Sequence, residues 1–301
     1  MDLRNAPTRD LETVAIGDAR TCNLSKIADS GQCFRWRADS DEGNEGADNQ
    51  FRIFAADHAA LCETTGDRVQ LRIVPSEQRD AQVSKQEDAH PPTVSSIQSA
   101  EQRDAESERT FWRNYFDCNF DYASAYDQII DANPELAHVY KFGQGMRILN
   151  QPWFETCVTF IISQNNNIPR IKSIVESLCP DGAFPTPDQL LAEVGRNDHG
   201  LGYRRTYIIG FAAACADGWK PASLEHANVS LADQMAQLQT LEGIGPKVAS
   251  CICLYCLGYK DTAPHDVWIK RAEAELGIMW HPTLAGLQQQ LIFYWMRERP
   301  R

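Results

Sequence analysis

The chain has 301 residues, 43% of them hydrophobic and 23% charged, with a net charge of −12 at pH 7. That length suits two domains, or one domain with two lobes, and the composition is that of an ordinary soluble globular protein. No apolar run approaches the ~18 residues of a membrane span, and residues 1–8 lack the basic and apolar regions of a signal peptide, so a cytoplasmic protein is expected.

From residue 14 to 74 the pattern predicts strands. Residues 32–37 alternate, 51–55 are short and apolar, and 59–64 and 69–74 flank Gly66-Asp67 as in a hairpin. An antiparallel sheet lobe over residues 1–110 follows, with two acidic insertions at 39–50 and 76–110 whose composition predicts disorder. Helical spacing or start and stop signals then mark 134–140, 153–164, 168–178, 187–194, 204–216, 230–239, 246–257, 266–276 and 283–297. The fold class is α+β: a sheet lobe followed by an all-helical domain over residues 111–301.

The negative charge is unevenly spread. The two acidic insertions carry −5 and −4, leaving −3 for the remainder, which is free to present a basic face to an acidic partner. Most of the ten cysteines lie in apolar runs and read as reduced core thiols. Cys251, Cys253 and Cys256 fall on one predicted helix with no fourth cysteine beyond them, so no iron-sulfur cluster is expected.

Residues 241–266 carry the chemistry. Gly243 and Gly245 flank one apolar residue, Pro246 and Lys247 open an apolar run, and the whole predicts a helix-hairpin-helix at about 231–258. The two glycines are expected to take backbone angles closed to other residues, and Pro246 suits a first helical position. Free N–H groups and the positive end of the helix dipole then form a site for phosphate. Lys247, one residue inside that helix, is in a setting that suits a nucleophilic amine. Asp266, after Pro264, is placed to cap the next helix.

Together these residues resemble the helix-hairpin-helix, Gly/Pro-rich loop and aspartate superfamily of base-excision DNA glycosylases, in which a lysine at this position marks members that also cut the strand. Four further stretches resemble one branch, the 8-oxoguanine DNA glycosylases of the eukaryotic type, here as a bacterial member acting on nucleoid DNA. The resemblance covers nearly the whole chain apart from the acidic insertions.

The first stretch, Ser30-Gly31-Gln32-Cys33-Phe34-Arg35-Trp36, reads by itself as a turn entering a strand. The resemblance makes the Gly31 carbonyl the acceptor for the N7 hydrogen that 8-oxoguanine has and guanine lacks. The second, Ser163 to Arg170, contains three asparagines that read as a turn with a cap at Asn167. The resemblance assigns Asn165 to the space left by the extruded base and Arg170 to the orphaned cytosine, whose O2 and N3 are acceptors for a donor-only guanidinium. In the third, Gly200 to Arg204, Tyr203 would wedge into the base stack and Arg204 would make a second cytosine contact. In the fourth, Gln289 and Phe293 lie four apart on one helix face. The resemblance makes Phe293 one wall of a base pocket, Cys251 the opposite wall and Gln289 the reader of the Watson–Crick edge.

Two departures from the family pattern stand out. Trp268 occupies the position of a phosphate-binding histidine, so that contact is either lost or supplied elsewhere, as by Lys270 or Arg271, and His265 has no role that the sequence suggests. Main-chain carbonyls of Gln239, Leu241 and Ile244 are implied as ligands of a monovalent or calcium ion at the hairpin; no cofactor is required. The implied activity is that of a monomeric, bifunctional DNA glycosylase and AP lyase that flips 8-oxoguanine opposite cytosine out of duplex DNA, attacks C1′ with Lys247 aided by Asp266, and cuts by β-elimination. A monofunctional alkyl-base glycosylase and a non-catalytic DNA-binding module are the alternatives.

Overall fold

The computed structural model describes residues 13–38, 50–74 and 105–299, so the acidic stretches 39–49 and 76–104 lie outside the described residues. Strands β1 (Thr13–Asp18), β2 (Trp36–Ala38), β3 (Gln50–Ala55), β4 (His58–Thr65) and β5 (Arg68–Ile73) form one antiparallel sheet in the order β1-β5-β4-β3-β2. Alternation sets which face is buried: Phe51, Ile53 and Ala55 of β3 and Val69, Leu71 and Ile73 of β5 point into the core. Thr65 pairs with Arg68 around the Gly66-Asp67 turn, the register expected for a two-residue hairpin.

The sheet lobe corrects the sequence reading in three places. Residues 32–35 are not strand; only Trp36–Ala38 pairs with β3, because Gln32 turns inward and spends its side chain on the backbone of Arg147 and Leu149. A helix, α1 (Leu24–Asp29), capped by Asn23, interrupts the lobe where strands were expected; six residues are too few to display a helical period. Gln50, assigned to the first insertion, starts β3, and α2 (Ala105–Tyr115) begins inside the stretch expected to be disordered and crosses the expected boundary at 110. Trp112 and Tyr115 explain α2. Both are fully buried, and Trp36 donates to the Tyr115 hydroxyl at 2.9 Å, so tertiary packing overrides a polar local composition.

The remaining helices are α3 (Tyr122–Ala132), α4 (Ala137–Gly143), α5 (Trp153–Ile162), α6 (Ile168–Ser177), α7 (Pro187–Arg196), α8 (Arg204–Ala216), α9 (Leu231–Leu238), α10 (Pro246–Cys256), α11 (Val267–Leu276) and α12 (Ala285–Glu298). Side chains start several of them: Asn167 caps α6, Thr186 and Gln189 form a capping box on α7, and Ser230 caps α9. α3 is missing from the expected set, although its buried Tyr122, Ala125, Tyr126 and Ile129 keep the i, i+3, i+4, i+7 spacing.

Two buried cations tie the sheet to the helices. Arg147 donates to the carbonyls of Thr21 and Phe116, and Arg35 pairs with Glu155 at 2.9 Å while Glu155 also accepts from the Ala56 N–H at 2.7 Å. Breaking such a pair strands a buried charge at a cost of about 3–5 kcal/mol, so it fixes how the lobe seats on α5. All ten cysteines are free thiols. Among the described residues, no helix is long and apolar enough to cross a membrane.

Candidate active site

α9 and α10 are joined by residues 239–245, with Pro246 in the first turn of α10. Gly243 has φ +86°, and a Cβ there would lie 2.4 Å from Cγ of Tyr207, so angle and space both require glycine. Gly245 departs from the expectation made for both glycines. Its φ of −85° and ψ of 178° are open to any residue, and nothing lies within 4 Å of a Cβ built on it. What Gly245 supplies is open space in front of the first, unladdered N–H groups of α10.

One turn further on, four segments distant in sequence meet at a half-open cavity whose empty space, solvent at its mouth included, is about 300 Å³. Gly31 comes from the turn after α1, Lys247 and Cys251 from α10, Asp266 from the start of α11, and Gln289 and Phe293 from α12. The six residues singled out in the sequence for catalysis and base recognition therefore share one wall system. Helix spacing accounts for half of it, since Lys247 with Cys251 and Gln289 with Phe293 are each i, i+4 pairs. Gly31 faces Phe293, whose Cε1 would lie 3.6 Å from a Cβ at this glycine, and φ of +76° keeps larger residues out.

The Lys247 ammonium sits 5.5 Å from the centroid of Phe160, which is itself stacked on Tyr255 at 5.3 Å. Burial pushes the Cys251 thiol up, against the opposing charge and hydrogen bond of Lys247, which keeps sulfur protonated at neutral pH and suited to be a wall. Asp266 caps α11: its Oδ1 accepts from the Ile269 N–H at 2.9 Å, which fixes the carboxylate at the cavity edge. Gln289 donates to the Pro264 carbonyl at 3.2 Å, and its Oε1 is buried without a hydrogen-bond partner. A buried acceptor left open beside a cavity is costly unless a ligand completes it.

Phe160, Tyr255, Ser30, Pro264 and Gln290 also line the cavity and were not singled out. The run Gln288-Gln289-Gln290 offered a signal: three glutamines buried on α12, each with an exposure of 3% or less, demand partners. Gln288 finds them in Tyr140, Met279 and the His281 N–H. Phe160 and Tyr255 gave no comparable signal, because an aromatic on a buried helix face reads as core. His265, which had no expected role, lies 3.5 Å from Glu273 and packs at a tilt against Trp280 with ring centroids 5.6 Å apart, and the Trp280 indole also donates to Glu273. That contact holds the loop entering Asp266 against α11.

The other singled-out residues gather on a second surface. Asn165, with φ +46°, donates to the Tyr203 hydroxyl at 3.1 Å, and exposed Arg170 donates to the Gly200 carbonyl at 3.2 Å, so the loops before α6 and α8 meet. Tyr203 is 50% exposed, whereas Arg204 beneath it is 4% exposed and donates to the carbonyls of Gln164, Asn165 and Leu201. The structure thus gives Arg204 a bracing task that the sequence did not reveal. Gln164 donates to the Gly243 carbonyl at 2.9 Å, joining this surface to the hairpin. Lys270 stands apart, exposed on α11 one turn beyond Asp266, beside Arg271 whose guanidinium lies 5.2 Å from the Trp268 ring.

Comparison with known proteins gives this geometry a family. The 8-oxoguanine DNA glycosylase N-terminal domain family matches residues 15–157. A Saccharomyces cerevisiae protein named N-glycosylase/DNA lyase is 35% identical over 42% of this chain, and an Arabidopsis thaliana protein named N-glycosylase/DNA lyase OGG1 is 30% identical over 52%. The chain spans only 41% and 48% of the lengths of these two curated relatives. The structure of MBOgg1 in complex with a low-affinity DNA ligand superposes with a TM-score of 0.72 at 30% identity, covering 93% of both chains. The Clostridium acetobutylicum 8-oxoguanine glycosylase/lyase bound to duplex DNA, at 24% identity and a TM-score of 0.74, shares the fold over 95% of this chain and 98% of its own. The chain belongs to the 8-oxoguanine DNA glycosylase family.

Proposed function

We propose that the protein is a bifunctional DNA glycosylase and AP lyase that removes 8-oxoguanine paired with cytosine from duplex DNA. The observation that carries this reading is the cavity itself, where a lysine and a carboxylate stand beside an open glutamine acceptor and a glycine that admits no side chain. In this reading the protein works as a monomer in a bacterial cytoplasm.

The extruded base enters between the Cys251 thiol and the Phe293 ring. Gln289 Oε1 accepts from its Watson–Crick edge, and the Gly31 carbonyl accepts the N7 hydrogen that guanine lacks, so a guanine would leave a buried carbonyl unpaired. The Lys247 amine forms a bond to C1′ as the C1′–N9 bond breaks and its electron pair leaves with the base. Asp266 stabilises the positive charge that develops on the sugar. Loss of a proton from the resulting amine opens the ring to a Schiff base. Removal of a C2′ proton then breaks the C3′–O bond and cuts the strand.

On the opposite face, Tyr203 enters the stack, Asn165 fills the vacated space, and Arg170 and Arg204 select cytosine. Gly243, Gly245, Lys270 and Arg271 receive backbone phosphates at two helix starts. Residues 239–245 leave the helical ladder, and the Leu241 carbonyl, which takes the Ile244 N–H at 3.1 Å, keeps a second lone pair. This oxygen-rich turn fits a monovalent or calcium ion on the carbonyls of Gln239, Leu241 and Ile244, where the ion would add positive charge facing a phosphate.

Borohydride trapping tests the proposal. Wild-type protein mixed with a duplex containing 8-oxoguanine opposite cytosine should give a covalent adduct. Lys247→Gln should give none, and its base excision should fall by at least about a thousandfold. An adduct that survives Lys247→Gln, or the absence of any wild-type adduct, would sink the reading.

A further inference from the structure

The cavity wall that faces Phe293 is the turn Ser30-Gly31-Gln32, and an unusual amount of buried hydrogen bonding converges on it. The Ser30 hydroxyl donates to the Ile27 carbonyl at 2.7 Å and receives Gln32 Nε2 at 3.0 Å. The Gln32 carbonyl accepts from Gln151 Nε2 at 2.7 Å, and the Gln151 N–H donates to the Tyr255 carbonyl at 2.8 Å. The Ser30 carbonyl, the last atom before the Gly31 peptide, accepts from Gln290 Nε2 at 2.7 Å. Gln290 Oε1 in turn accepts from the Tyr255 hydroxyl.

These partners leave the Gln290 amide one orientation. Turned over, it would set its oxygen against the Ser30 carbonyl, two acceptors with no proton between them. Burial also holds the Tyr255 hydroxyl protonated by raising it well above its ordinary value, so Tyr255 remains the donor. Gln290 is 1% exposed. The neighbouring glutamines differ in a telling way: Gln289 keeps an oxygen without a partner, while the oxygen of Gln290 is taken.

We propose that Gln290 is a positioning residue for lesion discrimination: by holding the Ser30 carbonyl it fixes the Gly31 peptide against which the extruded base is read, and Tyr255 fixes Gln290. The inference rests on the assignment of Gly31 as a base contact. It adds that selectivity is set from α12 and α10, through two side chains whose polar groups bond to protein. A glycine in a turn is soft, and a single carbonyl discriminates only if its position is held to a few tenths of an ångström.

The test separates reading the base from cutting the strand. Single-turnover excision of 8-oxoguanine opposite cytosine is measured alongside cleavage of a preformed abasic site in the same duplex; the second reaction needs Lys247 but puts no base in the cavity. Gln290→Leu should lower 8-oxoguanine excision roughly tenfold, the scale of a lost hydrogen bond plus an unsatisfied carbonyl, and leave abasic-site cleavage within about twofold of wild type. Tyr255→Phe keeps the ring stacked on Phe160 and removes only the bond to Gln290, so the same split should appear at roughly threefold. Equal loss in both reactions would mean that Gln290 merely supports the fold, and unchanged excision would mean that Gly31 holds its own position. Either outcome overturns the inference. If Gln290→Leu does not fold, Tyr255→Phe decides by the same criteria. A wild-type protein that cleaves abasic sites but leaves 8-oxoguanine in place overturns the substrate reading and this inference together.

Discussion

On the proposed function the molecule presents two surfaces to one DNA substrate, and they are built in opposite ways. The base cavity is lined by buried and half-buried side chains, and among their fully buried polar atoms only Gln289 Oε1 lacks a partner. The opposite-strand surface presents side chains already in the open, Tyr203 half exposed and Arg170 exposed, above a buried Arg204. A pocket that must tell two nearly identical bases apart needs fixed geometry before binding. A surface that must enter a base stack needs reach, and takes its final geometry from the DNA.

The opposite-strand surface is tied at Gly243 to the hairpin that leads into Lys247, and changing that residue should have the largest effect. Its carbonyl accepts from Gln164, its missing Cβ is filled by Tyr207, and Tyr207 packs edge to face against Tyr203 at 5.9 Å. Gly243→Ala adds left-handed strain of about 1–2 kcal/mol and overpacking of about 1–3 kcal/mol. The urea midpoint should drop accordingly, and both 8-oxoguanine excision and abasic-site cleavage should fall, because the hairpin and the wedge move together. An unchanged midpoint would mean that Tyr207 can swing aside and that the surfaces are not coupled here. Gly245→Ala is the matched control: with ordinary angles and open space it should leave stability within about 0.5 kcal/mol of wild type and act only on DNA affinity.

How much of this was legible from the sequence follows the same division. The hairpin could be read because its glycines, proline and lysine are adjacent, and the i, i+4 pairs on α10 and α12 placed half the cavity wall before any coordinates. The convergence of residue 31 with residues 247 to 293 could not be read from periodicity, which says nothing of which faces meet. The resemblance implies it, and the structure supplies the contact. α2 and the position of Gln32 were misread for one reason: each depends on a buried partner far away in the chain, Trp36 for α2 and the Arg147 and Leu149 backbone for Gln32. Arg204, which the resemblance assigns to the cytosine, also holds three carbonyls of its own chain, a commitment no local pattern reveals.

Tyr203 and Arg204, adjacent in sequence, sharpen the contrast at a middle scale. Arg204→Ala removes the guanidinium that bridges the carbonyls of Gln164 and Asn165 and should cost roughly 1–3 kcal/mol of stability, seen as a lower denaturation midpoint. Tyr203→Ala removes a half-exposed ring and should shift stability by no more than about 0.5 kcal/mol, while single-turnover excision falls about tenfold as the kink becomes harder to sustain. If Tyr203→Ala proves the more destabilising of the two, the ring is core and not a wedge.

The smallest effects on stability are expected at exposed charges assigned to DNA, and they separate reading from gripping. Arg170 lies on the opposite-strand surface beside Gly200, and Lys270 lies beyond Asp266 near the Trp268–Arg271 pair. A guanidinium that reads cytosine carries sequence information; an ammonium on a phosphate carries none. Arg170→Ala should therefore narrow the preference for cytosine over the other three opposite bases by a factor of about ten, the scale of one lost base contact, with stability unchanged. Lys270→Ala should leave that preference intact, weaken binding to every duplex alike, and reduce the slope of log affinity against log salt by about one. Excision rates against the four opposite bases, with anisotropy titrations from low to moderate salt, give both readouts. An Arg170 variant with a lower salt slope and unchanged base preference would move Arg170 from the reading group to the gripping group.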